Sequence, residues 1–267
     1  METIKNWIYV KPDLFTKFTS EFMGCMLFHL IGSLNPTAEC NAVALMTLVF
    51  FTAKLSGGHL NPAITWIFNL IGYTNPIEFL IYIAAQISGS MVGALWLSVI
   101  VPSLKIGHNN TEISFNGCFI PDETMSMPRI MACEALGTFS FALTVFSVVW
   151  YTQQKQGYGT IGPIMVGLSL LSPALAFGRY TGAAFNPART LASYVVYKCV
   201  PGRVVGSYIG GQLLGSFLAA LALIPWYGIA ADSWYLNFIN NEYIHVLSAY
   251  QQQSIQLRAS GPNKHIC

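Results

Sequence analysis

The sequence predicts an all-α membrane protein, with six transmembrane helices and two re-entrant half-helices arranged as an inverted three-plus-three repeat. Three observations predict it. The 267-residue chain is 54% hydrophobic and only 9% charged, whereas a soluble domain carries roughly 25% charged residues. Six segments approach the ~20 apolar residues that cross a bilayer. One phrase also occurs twice, as Ser56-Gly57-Gly58-His59-Leu60-Asn61-Pro62-Ala63 and as Thr181-Gly182-Ala183-Ala184-Phe185-Asn186-Pro187-Ala188.

The expected spans are residues 14–34, 40–55, 77–101, 129–150, 160–178 and 204–226. Lys5, Lys11, Pro12 and Lys17 precede or open the first run, which reads as a membrane helix rather than a cleaved signal. The second is the shortest and carries Asn41 and Lys54. Landmarks in the two halves match beyond the phrase. Ser20-Glu21-Phe22-Met23-Gly24 parallels Cys133-Glu134-Ala135-Leu136-Gly137, and Gln86-Ile87-Ser88-Gly89-Ser90 parallels Gln212-Leu213-Leu214-Gly215-Ser216. Glu134 follows Glu21 by 113 residues, Asn186 follows Asn61 by 125, and Gln212 follows Gln86 by 126. Three landmarks in one order at nearly one offset define a duplicated unit. Each unit has three spans, an odd number, so the second must sit inverted relative to the first.

Asn is a strong helix N-cap and Pro is favoured at the first helical position, so Asn-Pro-Ala is a helix start. About ten apolar residues follow Asn61 before Gly72, and a similar run follows Asn186. At 1.5 Å per residue such a run covers about 15 Å, half of a ~30 Å hydrocarbon core. These are half-helices that start near the membrane midplane, where irregular backbone is tolerated only inside protein or beside water. The inverted repeat brings their positive ends together from opposite faces, which repels cations. If each Asn oxygen caps its own helix, each NH2 remains a donor to the lumen. The segments Gly57–Leu60 and Gly182–Phe185 offer carbonyl oxygens on either side.

Other classes find little support. The net charge of +2 and the absence of a basic, aromatic-interleaved cluster exclude a nucleic-acid partner. No metal-ligand spacing and no cofactor motif occurs. No Ser/His, paired Asp or His-rich constellation has the spacing of an intramembrane enzyme. A secondary transporter also uses inverted repeats and broken helices, but it is expected to place a coupling carboxylate at the centre, where this chain has Asn61 and Asn186. Cys25, Cys40, Cys118, Cys133, Cys199 and Cys267 read for the most part as small buried hydrophobes, with no need of a disulfide framework.

At these residues the chain resembles the aquaporins, the major intrinsic protein family, over about residues 14–226. The paired motif Asn61, Pro62, Ala63 and Asn186, Pro187, Ala188, with Arg189 following, carries the resemblance. It implies a right-handed bundle, a homotetramer with one pore per subunit, and passive passage of water without ions or protons. It also divides the chain into an amino-terminal segment (1–13), a channel domain (14–226, halves 14–101 and 129–226) and a tail (227–267). Glu21 and Glu134 match the family's buried glutamates that hold the irregular loops. His59, with Gly58 and Gly182, matches pore-lining positions, whereas His29 has no family role and is expected to be a satisfied packing residue.

The family's filter maps by spacing onto Asn41, Ala174, Ala183 and Arg189. Arg189 fits the pattern. The rest departs from it: strict water channels resemble one another in a His at Ala174 and an aromatic at Asn41. Glycerol facilitators share aromatics at Asn41 and Ala183, and an Asp where this chain has Thr190. Small side chains at two positions imply a wider aperture, and Pro173 makes the fifth-span mapping sensitive to a helix shift. The implied substrates are water and, as an alternative, small neutral solutes such as glycerol, urea, ammonia or hydrogen peroxide. A non-conducting junctional member of the family is a further alternative.

Lys5, Lys11, Lys17, Lys54 and Lys155 fall on one side, and Lys105, Arg179, Lys198 and Arg203 on the other. The slight bias predicts cytoplasmic termini. Residues 102–128, with the sequon Asn109-Asn110-Thr111, would then face away from the cytoplasm.

Overall fold

The computed structural model describes residues 12–101, 117–153 and 161–227, with backbone alone for 150–153. The sequon at Asn109, Lys5, Lys11, Lys105, Lys155 and the tail from residue 228 to Cys267 lie outside the described residues.

Among the described residues there are six long helices: α1 (Leu14–Leu34), α2 (Ala38–Ser56), α4 (Pro76–Ile100), α5 (Met127–Gln153), α6 (Gly162–Thr181) and α8 (Gly202–Tyr227). Two short ones, α3 (Pro62–Leu70) and α7 (Pro187–Ala192), start at the Asn-Pro-Ala motifs. Side chains at the helix starts account for several boundaries. Asp13 accepts from Thr16 N, Thr37 from Cys40 N, and Asn75 from Ile77 N and Glu78 N, each capping its helix. α2 and α6 stop where Gly57 (φ 92°) and Gly182 (φ 77°) turn left-handed. The 19 residues of α2 span about 28 Å and the 27 of α5 about 40 Å, enough for a bilayer core. All the long helices except α1 are apolar enough to cross one by length and composition. α1 is as long, but Lys17 and Glu21 lie in its first half.

The second half-helix departs from the expected regular run. α7 is only 6 residues long and opens into a π turn, Ser193–Tyr197, closed by Lys198 at φ 54°.

Within each repeat the first and third spans pack backbone to backbone. α1 lies along α4, and α5 along α8. A Cβ on Gly89 or Gly93 would come 2.3 Å from the carbonyl oxygens of Phe22 and Met26 respectively. On Gly211 and Gly215 it would come 2.4 and 2.3 Å from those of Met131 and Ala135. Each repeat thus has a Gly-x-x-x-Gly that lets two membrane helices approach closely. α2 against α6 joins the halves, and each half-helix packs on the third spans of both repeats.

Two sequence expectations are corrected here. Cys118 and Cys199 form a disulfide, with Cα atoms 5.9 Å apart. A separation of 81 residues leaves no local signal of such a pair. His29 is fully buried and packs near Tyr197, but neither ring nitrogen has a hydrogen-bond partner, so it is packed rather than satisfied.

Candidate functional site

The two irregular loops are built by one repeated device. Glu21, fully buried, accepts from Ser56 Oγ (2.6 Å), His59 N (3.0 Å), Leu60 N (2.8 Å) and Gln86 Nε2 (2.7 Å). Glu134, equally buried, accepts from Thr181 Oγ1 (2.7 Å), Ala184 N (3.2 Å), Phe185 N (2.9 Å) and Gln212 Nε2 (2.8 Å). The same Gln amides reach the half-helices at Thr65 Oγ1 (2.8 Å) and Thr190 Oγ1 (3.1 Å). Tyr82 and Tyr208 each donate to the last carbonyl before a loop, at Ser56 and Thr181. In the sequence the Gln pair stands out only as a landmark, and the Thr and Tyr pairs carry no mark of their own. Their offsets, 125 and 126 residues, match the repeat and would have exposed them.

These contacts hold an unfavourable backbone. The first loop takes positive φ at Gly57, Gly58 and Leu60 (49°), and the second at Gly182, Ala183 (52°) and Phe185 (45°). A non-glycine residue there costs about 1–2 kcal/mol. An unpaired buried N–H costs about 1–3 kcal/mol, and each glutamate pairs two in its loop, which offsets that strain. Leu60 and Phe185 are fully buried, in space that Gly24 and Gly137 leave open. A Cβ on Gly24 would come 2.3 Å from Leu60 Cδ2, and on Gly137 2.1 Å from Phe185 Cε1. The Glu-x-x-Gly repeated in the two first spans thus has a reason: Glu anchors the loop, and Gly admits the apolar side chain before Asn.

Each Asn caps its half-helix. Asn61 Oδ1 accepts from Ala63 N (2.9 Å), and Asn186 Oδ1 from Ala188 N (3.0 Å). Each NH2 keeps only part of its donor capacity for the lumen. Asn61 Nδ2 donates to Phe185 O (2.7 Å) and Asn186 Nδ2 to Leu60 O (2.8 Å), cross-bracing the loops. An amide carries two N–H donors, so one per residue is left over.

Asn41, Ala174, Ala183 and Arg189, together with Gly182, line one cavity of about 500 Å³. Pro173 lies inside α6 and leaves Ala174 on that wall. Arg189 is buried and immobilised. Its Nη1 donates to Asn41 Oδ1 (2.6 Å), while Asn41 Nδ2 is tied to Gly32 O and Thr37 O. The guanidinium carbon lies 4.4 Å from the ring centre of Phe28 and 5.2 Å from that of Phe119, within cation–π range. Neither aromatic was singled out from the sequence. His59 and Gly58 line a second cavity of about 730 Å³, mostly apolar, that also touches Phe50, Val145 and Lys54. There His59 stacks on Phe68 (4.6 Å) and its Nδ1 meets Thr65 Oγ1 at 3.2 Å.

Between the two lies a space of about 10 Å³ walled by Asn61, Asn186, Phe28, Leu60 and Phe185. Leu170 belongs to its wall and to the first cavity, and Leu45 and Phe141 to its wall and to the second. The shared wall residues set the three spaces in series through the bundle.

A profile of the family described as "Major intrinsic protein" matches residues 9–222. The chain belongs to the major intrinsic protein family. It is similar to aquaporin TIP2-2 of Zea mays, 30% identical over 71% of this chain and 73% of that one. It is also similar to the glycerol uptake facilitator protein of Streptococcus pneumoniae, 30% identical over 75% of this chain and 95% of that one. The fold matches the X-ray structure of the aquaglyceroporin from Plasmodium falciparum, with a TM-score of 0.70 and 21% identity over 78% of this chain and 95% of that one. As a member of this family the protein is an integral membrane channel for water or small neutral solutes, and not an enzyme.

Proposed function

We propose that the chain is a passive water channel whose aperture also admits small neutral solutes, and that it excludes ions and protons. The observation that carries this reading is the series of three spaces whose middle member, walled by Asn61 and Asn186, is about 10 Å³. That is about the volume in which a single water is accommodated. A water there accepts from the remaining Asn N–H donors, and the half-helix starts disfavour a cation. Arg189, clamped by Asn41 and stacked on Phe28, adds a fixed positive charge to the wall of the wider cavity. Ala174 and Ala183 in the same wall favour solutes larger than water.

In this reading residues 14–226 form the channel domain and four copies assemble, one pore each. The Arg189 cavity faces away from the cytoplasm, and the His59 cavity and both termini face it. Glycosylation of a sequon engineered into residues 151–159 would refute that orientation.

Stopped-flow swelling of proteoliposomes with water, glycerol, urea and hydrogen peroxide tests the function. Water flux above empty vesicles, without proton current, is the expected result, and a proton current carried by the wild type overturns it. Ala174→His adds an imidazole to the wall that holds Arg189. Glycerol flux then falls steeply and water flux little, because a file of single waters needs only about 3 Å. An unchanged ratio of glycerol to water permeability in the folded variant removes Ala174 from the filter.

A further inference from the structure

The segment before α5 is pinned at both ends over the Arg189 cavity. At one end the Cys118–Cys199 disulfide ties it to the chain just beyond the π turn, and Gly117 O accepts from Ser193 Oγ. At the other, Asp122 N donates to Tyr180 O (2.9 Å) at the end of α6. Only Phe119, Ile120 and Pro121 lie between the anchors, and all three line the cavity. Phe119 is half-buried, its ring against the Arg189 guanidinium on one side and its backbone 3.5 Å from where a Cβ on Gly182 would stand. The mapped filter positions other than Arg189 carry no aromatic, so Phe119 and Phe28 provide the aromatic walls around Arg189. Phe28 is held by α1. Phe119 is held by a cross-link.

We infer that Phe119 is a specificity-determining wall of the constriction, positioned by the Cys118–Cys199 disulfide, and that reducing this disulfide broadens the solute range of the pore. The inference rests on the pore reading above. Cys118 is half-buried on the cavity wall, and a small dithiol enters from the vestibule. Attack by one thiolate forms a mixed disulfide with Cys118 and expels Cys199 as the thiolate, which takes up a proton. The second thiol then closes the reductant's own disulfide and releases Cys118. Two electrons and two protons pass from the dithiol to the cystine. The freed segment loses its covalent anchor and keeps only the Ser193–Gly117 hydrogen bond at that end, the Phe119 ring leaves Arg189, and the wall it forms beside Gly182 recedes.

The test uses wild-type protein already reconstituted, so folding is not at issue. Glycerol, urea and water permeabilities are measured before and after dithiothreitol, and again after reoxidation, with cystine content followed by thiol labelling. Reduction is expected to raise the glycerol-to-water ratio several-fold, and reoxidation to restore it. Phe119→Ala should show the raised ratio in the oxidised state and no response to reductant. A Cys118→Ala/Cys199→Ala protein should likewise be unresponsive. An unchanged ratio with the cystine fully reduced overturns the inference while leaving the pore reading intact. A reductant response of full size in Phe119→Ala overturns the role of Phe119. Absence of any water or solute flux in the oxidised wild type overturns the pore reading and the inference with it.

Discussion

The two halves of the molecule share a scaffold and differ in what they present to the path. In each, a buried glutamate takes two loop N–H groups, a hydroxyl and a glutamine amide, and a glycine one turn on admits a buried apolar side chain. Yet the end of the path at His59 is a wide apolar cavity, whereas the end at Arg189 carries the shortened half-helix of the second half, Asn41 drawn from the first, and a disulfide to the segment between them. The duplication preserves what solves the backbone problem, since both loops face the same shortage of hydrogen bonds. Side chains on the cavity walls carry no such burden and are free to diverge.

The largest expected effect tests the shared part. Glu21→Ala and Glu134→Ala each strand two loop N–H groups and other polar partners in the interior, at a cost of about 3–5 kcal/mol. Both should abolish the monodisperse folded fraction in detergent to a similar degree. If only one does so, the two loops are not energetically equivalent.

Steric equivalence breaks next. Gly137→Ala sets a methyl against the rigid Phe185 ring, and Gly24→Ala against the more adaptable end of Leu60. Overpacking costs about 1–3 kcal/mol, with Gly137→Ala expected at the upper end and Gly24→Ala at the lower. Thermal midpoints of the two purified variants decide it, and the reverse order would mean that the Leu60 pocket is the stiffer.

A reciprocal exchange sharpens the contrast. Gly58 and Ala183 occupy equivalent places in the loops and both take positive φ. In Gly58→Ala the new Cβ would lie 2.8 Å from Thr52 Oγ1, so strain and contact add to about 1–3 kcal/mol of destabilisation. Ala183→Gly relieves strain and should raise the midpoint by an amount corresponding to about 1 kcal/mol or less.

The smallest effect is electrostatic. Asp13 and Asp122 each sit below the usual carboxylate value of 3.8 because Thr16 and Thr124, respectively, donate to the charged form through side chain and backbone. A carboxylate lowered in the folded state contributes stability that is present above the unfolded value and lost as pH falls through the folded one. The melting midpoint of the wild type should therefore decline slightly more between about pH 5 and pH 2 than that of Asp13→Asn/Asp122→Asn. Parallel curves would remove the linkage.

Much of this architecture was legible because it is written in local chemistry repeated at one offset. Helix spans and Asn caps follow from hydropathy and from capping, which act over a few residues, and the Glu pair recurs at an offset of 113 and takes its role from the family resemblance. A buried histidine such as His29 suggests a partner by its type, and only its surroundings in the fold leave both nitrogens bare.

What the chain determined by itself is therefore the repeated scaffold: two half-helices, the loops before them and the residues that anchor those loops. What only the tertiary structure decided is the wall of the path. The cross-brace between Asn61 and Asn186, the stacking of Phe28 and Phe119 on Arg189, and the Cys118–Cys199 cross-link join segments that are far apart in sequence. No local preference encodes such pairings. They form when packed helices bring two loops from opposite faces to one point, where buried donors and charges must find partners.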